Sequence, residues 1–393
     1  KNYEQFLVQE KVLTEMQAAT IRNEIKDHID GALNEAMQPQ LFDFSVEQEL
    51  ADVYASDEGV AITPYEKLNN PILNSKRFIE AISEALKQAM VLYPELILMG
   101  QDIAEYGGAF KVTEGFVTQF GKQRVRNTPI CESAIVGAAL GLSLEGIKSV
   151  VEMQFADFVS VGFNQIVNNL AKINYRWGQN ADVVIRMPTG AGVGAGPFHS
   201  QSNEAWFTHV PGLKVVYPSN PVDAKGLLMA AIADPNPVLF FEHKALYRSI
   251  SADVPDEYYQ IPMGKAKLVN EGEDACIITY GMGVIWAQQY QQNHPEVAIS
   301  ILDLRSLAPL DNDAISEVVK ATGKVCILHE DNLTGGIGGE ISAWISEHCF
   351  AYLDAPIMRC ASLDTPIPFN LALEKQYLAN SRLEATMQKL LNY

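Results

Sequence analysis

From about residue 72 onward, short apolar runs alternate with stretches of helical period, and this alternation constrains the fold more than any other feature of the chain. Phe78, Ile79, Ile82, Leu86 and Met90 recur at helical spacing and lead into the run Leu96-Ile97-Leu98-Met99-Gly100. Further strand candidates lie at 148–155, 182–187, 213–217 and 238–242, with helical stretches expected at 133–145, 158–175 and 221–233 between them. Continuous apolar runs of this kind need cover on both faces, so they predict a mostly parallel sheet with helices on each side. A second set begins near 274, with strands at 275–280, 297–302, 324–329 and 356–361. Helices are expected between them at 284–292, 312–321 and 339–348, and a helix at 380–391 closes the chain. The polar, proline-interrupted segment 243–273 is the natural boundary. The expected fold is α/β, with two doubly wound sheets over 66–260 and 261–393.

Residues 1–65 break this pattern and predict a helical appendage. Thr14-Glu15-Met16-Gln17 has the form of a capping box. Behind it Ile21, Ile25, Ile29, Leu33 and Ala36 make one apolar stripe, which a lone helix must dock on something to bury. Residues 39–65 show no clean period and read as a connector. The 13 Asp/Glu in 1–65 outweigh four Lys/Arg there, and the whole chain carries a formal charge of −19. That balance argues against nucleic acid and anionic membrane as partners. No apolar run reaches the roughly 18 to 20 residues of a membrane span. Five scattered cysteines without Cys-x-x-Cys spacing disfavour a disulfide framework or a zinc site, and a reducing cytoplasm fits them best.

Several segments carry candidate chemistry. Arg124 to Glu132 ends an apolar strand, and the small-residue helix from Ser133 to Gly141 follows. In a doubly wound sheet ligands sit at the carboxyl ends of strands, which is where Glu132 falls. A glutamate that simply favours a helix N-terminus would occupy the same position. Thr189 to Ser202 holds four glycines followed by His199, either a group that can hold a proton beside a substrate or a plain loop histidine. Gln154, Phe155 and Phe158 could wall a pocket for a flat ring or pack a core. Asp234-Pro-Asn236-Pro ends a helix and could face a cation or be only a turn. The glycines of 189–196 and Gly281-Met-Gly283 fit a dinucleotide fingerprint poorly: Pro197 and Trp286 stand where it should continue, which weakens a nicotinamide-dependent reading.

Taken in order, these segments resemble the beta subunits of the thiamine-dependent 2-oxo acid dehydrogenases over roughly 72–393. The motifs are Thr128-Pro-Ile-Cys-Glu132, Glu152-Met-Gln-Phe-Ala-Asp157, Phe198-His-Ser-Gln-Ser202, Pro211-Gly-Leu-Lys-Val-Val216 and Phe240 to Arg248. The resemblance implies a thiamine-pyrimidine domain followed by a transketolase C-terminal-like domain. It implies thiamine pyrophosphate as cofactor, with Glu132 bonding the aminopyrimidine ring nitrogen and favouring the imino tautomer that deprotonates the thiazolium carbon. Ile130, Gln154 and Phe158 would line the pyrimidine pocket, and His199 would assist acyl transfer to the lipoyl group. Ala231, Asp234 and Asn236, with the carbonyl of Val184, correspond to a structural monovalent-cation site, potassium being the candidate. The family's magnesium and diphosphate motif, Gly-Asp-Gly with an asparagine-containing tail, is not found in the 393 residues. The expected partners are therefore an alpha subunit or fused alpha region in an α2β2-like assembly, and a dihydrolipoyl acyltransferase. Residues 1 to about 50 resemble the end of such an alpha subunit, which suggests alpha and beta regions fused in one gene, this chain being a C-terminal fragment or a processed product. The motifs sit nearer the branched-chain enzymes, so 2-oxoisovalerate is the expected substrate, pyruvate the second choice, and a non-catalytic assembly subunit the rival reading.

Overall fold

The computed structural model describes residues 1–38 and 45–393; the part of the connector at 39–44 lies outside the described residues. The chain divides into two compact units, Lys1–Leu50 and Ala51–Tyr393. In the smaller unit the capping box forms as the spacing predicts. Gln17 N–H donates to Thr14 Oγ1 at 3.2 Å, and Thr14 N–H donates to Gln17 Oε1 at 2.9 Å. They start the helix Glu15–Ala36, whose stripe of Ile21, Ile25, Ile29 and Leu33 is exposed.

Residues 51–65, grouped by sequence with the appendage, belong instead to the larger unit. Their backbone and ring groups find partners there. Tyr54 Oη donates to the Leu213 carbonyl at 3.2 Å, Ala55 N–H to Asn236 Oδ1 at 2.7 Å and Thr63 N–H to Gln260 Oε1 at 2.9 Å.

The strands run in chain order as β1 Leu73–Arg77, β2 Ile97–Gly100, β3 Val125–Asn127, β4 Ser149–Glu152, β5 Val183–Thr189, β6 Lys214–Val216 and β7 Val238–His243. They continue as β8 Ser251–Pro255, β9 Lys267–Asn270, β10 Ala275–Thr279, β11 Ile299–Asp303, β12 Ser306–Ala308, β13 Val325–Asn332 and β14 Met358–Ser362. A seven-stranded sheet has the order β12-β6-β7-β5-β4-β2-β3 and is parallel except at β12. A five-stranded sheet has the order β14-β13-β10-β11-β9 and is parallel except at β9. The two mostly parallel sheets expected from the alternation are present. On one face of the larger sheet the helix Phe78–Leu92 buries Phe78, Ile82 and Leu86 beside Leu227 and Leu228 of the helix Pro221–Ala233. Each such side chain removed from water stabilises the layer by about 1.5–3 kcal/mol.

Other features also differ from the sequence reading, among them β9 within the segment expected to be only a boundary. The antiparallel pair β1–β8 is polar, so no apolar period announces it. The strand β12 crosses the predicted boundary to extend the first sheet. The single helix expected over 158–175 is broken into 3₁₀ turns at Ala156–Gly162 and Leu170–Lys172, a π turn at Gln165–Asn169 and a short α turn at Ile173–Trp177. Asn169 donates through its side chain to Gln165 Oε1, and Asn168 to Asn164 Oδ1; such local amide bonds compete with a regular helix. Among the described residues no helix is long and apolar enough to cross a membrane.

Candidate active site at the strand ends

Parallel β3, β2, β4 and β5 end on one edge of the larger sheet, and the candidate residues are carried from that edge. Gly100 of β2 pairs with Asn127 of β3 and with Glu152 of β4, so Gln101, Thr128 and Met153 leave the sheet side by side. Asn127 Oδ1 accepts from Ala104 N–H at 2.8 Å, and Thr128 N–H donates to the Gly100 carbonyl at 2.9 Å. These bonds fix the turn after β2 against the end of β3. Cys131 stands at the N-cap position of the helix Glu132–Leu144, whose alanines and leucines favour helix, while Gly137 and Gly141 cost helix propensity but leave room for close packing. Gly162 lies so close that a Cβ there would stand 3.4 Å from the Glu132 carbonyl oxygen and 3.3 Å from Val136. The segment carrying Phe158 therefore packs on the first turn that carries Glu132.

Glu132 is buried, and Gln101 Nε2 donates to its Oε1 at 3.0 Å. Ile130, two residues earlier, is 84% exposed, so a buried carboxylate sits beside an apolar side chain open to the outside. Asp102, with φ of 57°, accepts from Gln154 Nε2 at 3.4 Å and links the end of β4 to the same turn. The rings of Phe155 and Phe158 meet edge to face, and the imidazole of His199 stands edge-on to both, at 4.8 and 5.6 Å between centroids. Ile130, Glu132, Gln154, Phe158 and His199 are thus all carried on this edge, Glu132 tied through Gln101 to the turn that bonds Gln154 and His199 tied to the phenylalanines.

Residues not singled out from the sequence complete the surroundings. Gln101 orients Glu132. Lys244, at the end of β7, donates through Nζ to the Gly190 carbonyl at 2.7 Å and lies 5.7 Å from the Phe155 ring centroid. Burial pulls its pKa down to about 8, against the attraction of Asp157, Glu330 and Glu374. One layer below, Arg186 of β5 donates to both oxygens of Glu242 at 2.7 Å and to Glu152 at 2.6 Å, all buried. The strand-end position of Glu132 was readable; Gln101 lies outside every quoted motif, and Lys244, though inside the Phe240 to Arg248 motif, carried no signal of its own there.

Of the cation set, the side chains of Asp234 and Asn236 are already engaged, so a cation there would rest on main-chain carbonyls such as that of Val184. Asp234 Oδ2 accepts from Lys214 Nζ at 2.5 Å, and Oδ1 accepts from Asn236 N–H at 2.8 Å and Nδ2 at 3.0 Å. Asn236 bonds the backbone of Ala55 through both ends of its amide. Val184 sits mid-strand between Val150 and Val238, and Ala231 is buried in the helix Pro221–Ala233. An ammonium already neutralises the one carboxylate, which removes the charge a monovalent cation would meet. Among the described residues no group of three or more His, Cys, Asp or Glu could hold a metal ion.

Two domain families match the chain: the transketolase pyrimidine-binding domain over residues 75–249 and the transketolase C-terminal domain over 264–382. The solved structure titled split gene transketolase, inactive beta4 tetramer, shares this fold, with a TM-score of 0.66 at 22% identity over 80% of this chain and 98% of that one. The fold and the strand-end cluster therefore define the class: a transketolase-type pyrimidine domain joined to its C-terminal domain. The 2-oxoisovalerate dehydrogenase subunit beta of Bacillus subtilis (strain 168) is 45% identical over 322 residues, 80% of this chain and 98% of that protein. The mitochondrial 2-oxoisovalerate dehydrogenase subunit beta 2 of Arabidopsis thaliana is 41% identical over 325 residues, 81% of this chain and 90% of that one. The chain belongs to this family, the beta subunits of the branched-chain 2-oxo acid dehydrogenases.

Proposed function

We propose that this chain supplies the pyrimidine side of a thiamine pyrophosphate site, completed by an alpha subunit or fused alpha region that holds magnesium and the diphosphate. The observation that carries the reading is the setting of Glu132: a buried carboxylate, one oxygen fixed by Gln101, at the start of a helix on the carboxyl edge of a parallel sheet. Such a group can hold a proton on a ring nitrogen without competition from water. The neighbouring phenylalanines suit a flat heteroaromatic ring, so the residues present fit the cofactor. When bound, thiamine pyrophosphate supplies a thiazolium carbon that stabilises the negative charge left by loss of carbon dioxide.

In this reading Glu132 keeps the pyrimidine in its proton-accepting form, while Gln154, Phe158 and Ile130 wall the ring and exclude water. His199 holds or passes a proton beside the lipoyl group as the acyl moiety moves to the lipoamide of a dihydrolipoyl acyltransferase. The substrate is a branched 2-oxo acid, 2-oxoisovalerate first, and the setting is cytoplasmic. Residues 1–50 belong to the same reading as the end of an alpha region.

The test is reconstitution with an alpha partner and oxo-acid-dependent reduction of a dye. A kcat/KM for 2-oxoisovalerate at least about tenfold above that for pyruvate supports the substrate assignment. A preference for pyruvate overturns it. No cofactor-dependent rate with either acid overturns the catalytic reading in favour of a non-catalytic assembly subunit.

A further inference from the structure

The glycine loop after β5 is held from the C-terminal half of the chain. Gly190, Gly192, Gly194 and Gly196 all have positive φ, from 71° to 94°, so alternate residues turn their N–H groups outward in a way side chains rarely permit. Those amides meet carboxylates. Ala191 N–H donates to Glu330 Oε1 at 2.6 Å, and Ser202 Oγ donates to the same oxygen at 3.3 Å. Gly192 N–H donates to Glu374 Oε1 at 2.9 Å, and Gly194 N–H to Glu374 Oε2 at 3.0 Å. Both carboxylates are buried, one at the end of β13 and the other on the helix Leu371–Tyr377.

Packing repeats the pattern. A Cβ on Gly190 would stand 2.1 Å from His243 Nε2, and one on Gly196 would stand 2.2 Å from the Phe369 ring. His243 is itself tied to Glu330, Nε2 to Oε2 at 2.7 Å, while its Nδ1 accepts from Ala245 N–H at 3.3 Å. That tautomer makes Nε2 the donor to Glu330. Burial disfavours the Glu330 charge, but His243, the Ala191 amide and Lys244 outweigh it and hold the carboxyl below its ordinary range.

We propose that Glu330 and Glu374 are positioning residues: by gripping the amides on the ascending side of the loop and Ser202 on its descending side, the C-terminal half sets where His199 stands. The inference rests on the reading of His199 given above. Charge-assisted bonds to backbone N–H groups are short and directional, so two carboxylates on four donors fix a loop that its glycines alone would leave loose. Neither carboxylate hydrogen-bonds Glu132, Gln101 or Gln154, and the effect of the clamp falls first on His199, so acyl transfer is expected to suffer more than decarboxylation.

The test uses Glu374→Ala and the isosteric Glu374→Gln in the complex reconstituted with its alpha partner. Three readouts are taken: hydrogen exchange at Gly192 and Gly194, 2,6-dichlorophenolindophenol reduction, and acyl transfer to a purified lipoyl domain. Expected for Glu374→Ala is exchange at least about ten times faster at those amides, with folding retained. Acyl transfer falls about tenfold or more while dye reduction stays within about twofold, since a small misplacement of a positioned group is costly. Glu374→Gln, which keeps one neutral acceptor oxygen and turns an amide NH2 toward the other donor, recovers only part of the transfer rate. Unchanged exchange, or equal losses in both activities, overturns the clamp. His199→Ala serves as control: if it leaves transfer unchanged, the role given to His199 fails, while the exchange result still decides whether the carboxylates hold the loop.

Discussion

Replacing Arg186 by methionine tests how the layer beneath the strand ends is held. Arg186 is 1% exposed, and it pairs with Glu152 and Glu242, which are 5% and 0% exposed. Tyr247 Oη also donates to Glu242, at 2.6 Å. Arg186→Met leaves two buried carboxylates without their cation. Removing one partner of a buried pair costs ~3–5 kcal/mol, and two carboxylates sharing one guanidinium put this case at the upper end, about 5 kcal/mol. That is a large share of the ~5–15 kcal/mol by which folded proteins are usually stable.

The pH dependence has a definite sign. Burial raises the Glu152 pKa, Arg186 opposes that rise, and Glu242 adds to it. Without the guanidinium the folded-state pKa climbs further, so the folded variant binds protons that the unfolded chain has released. Its stability then rises as pH falls from the new folded pKa toward the ordinary carboxylate range, by up to ~1.4 kcal/mol per unit of added shift. Matched urea titrations of wild type and variant at pH 8 and pH 5 should show the deficit narrowing at the lower pH. Adding Glu242→Gln to Arg186→Met should recover part of it. A deficit below about 1 kcal/mol, the size of an exposed pair, or one equal at both pH values, refutes the reasoning.

Three further outcomes follow from buried groups. His329 has neither ring nitrogen bonded and a pKa pulled down to about 4 by burial, so it is neutral when folded and charged when unfolded between about pH 4 and 6.5. Stability is full above that window and lost as pH falls through it, by about 3 kcal/mol; thermal melts of His329→Asn should lose less over the same range. Lys244, with a folded pKa of about 8, is penalised while it remains charged, so its contribution improves as pH rises from about 8 toward 10.5. Lys244→Met should flatten that rise, and an unchanged slope in alkaline melts would count against its burial. Since Lys214 already neutralises Asp234, melting temperatures in potassium and sodium chloride at equal ionic strength should agree, and a potassium-specific rise would restore the cation site.

What the sequence made legible follows from range. Glu132 stood out because a short strand and a small-residue helix flank it within ten residues, and His199 because it follows a run of glycines. The capping box at Thr14 is local in the same way. The loop clamp was not legible, because its donors and acceptors are 139 and 182 residues apart, and a buried glutamate in sequence looks like any other. The glycine loop is bonded down by those same distant carboxylates. The strands β1, β8 and β12 escaped notice because their residues are polar or few, and sheet edges need no apolar period. The lysine at Asp234 comes from β6, 20 residues earlier, and only the fold brings it there.

Deuterium exchange at the thiazolium carbon of thiamine pyrophosphate, measured in the reconstituted complex with and without Glu132→Gln, bears most directly on the role assigned to this chain. If the buried carboxylate governs the pyrimidine proton, exchange slows by about a hundredfold or more while the complex still assembles and melts as the wild type does. Exchange within a few-fold of the wild-type rate, in a variant that binds the cofactor normally, would contradict it.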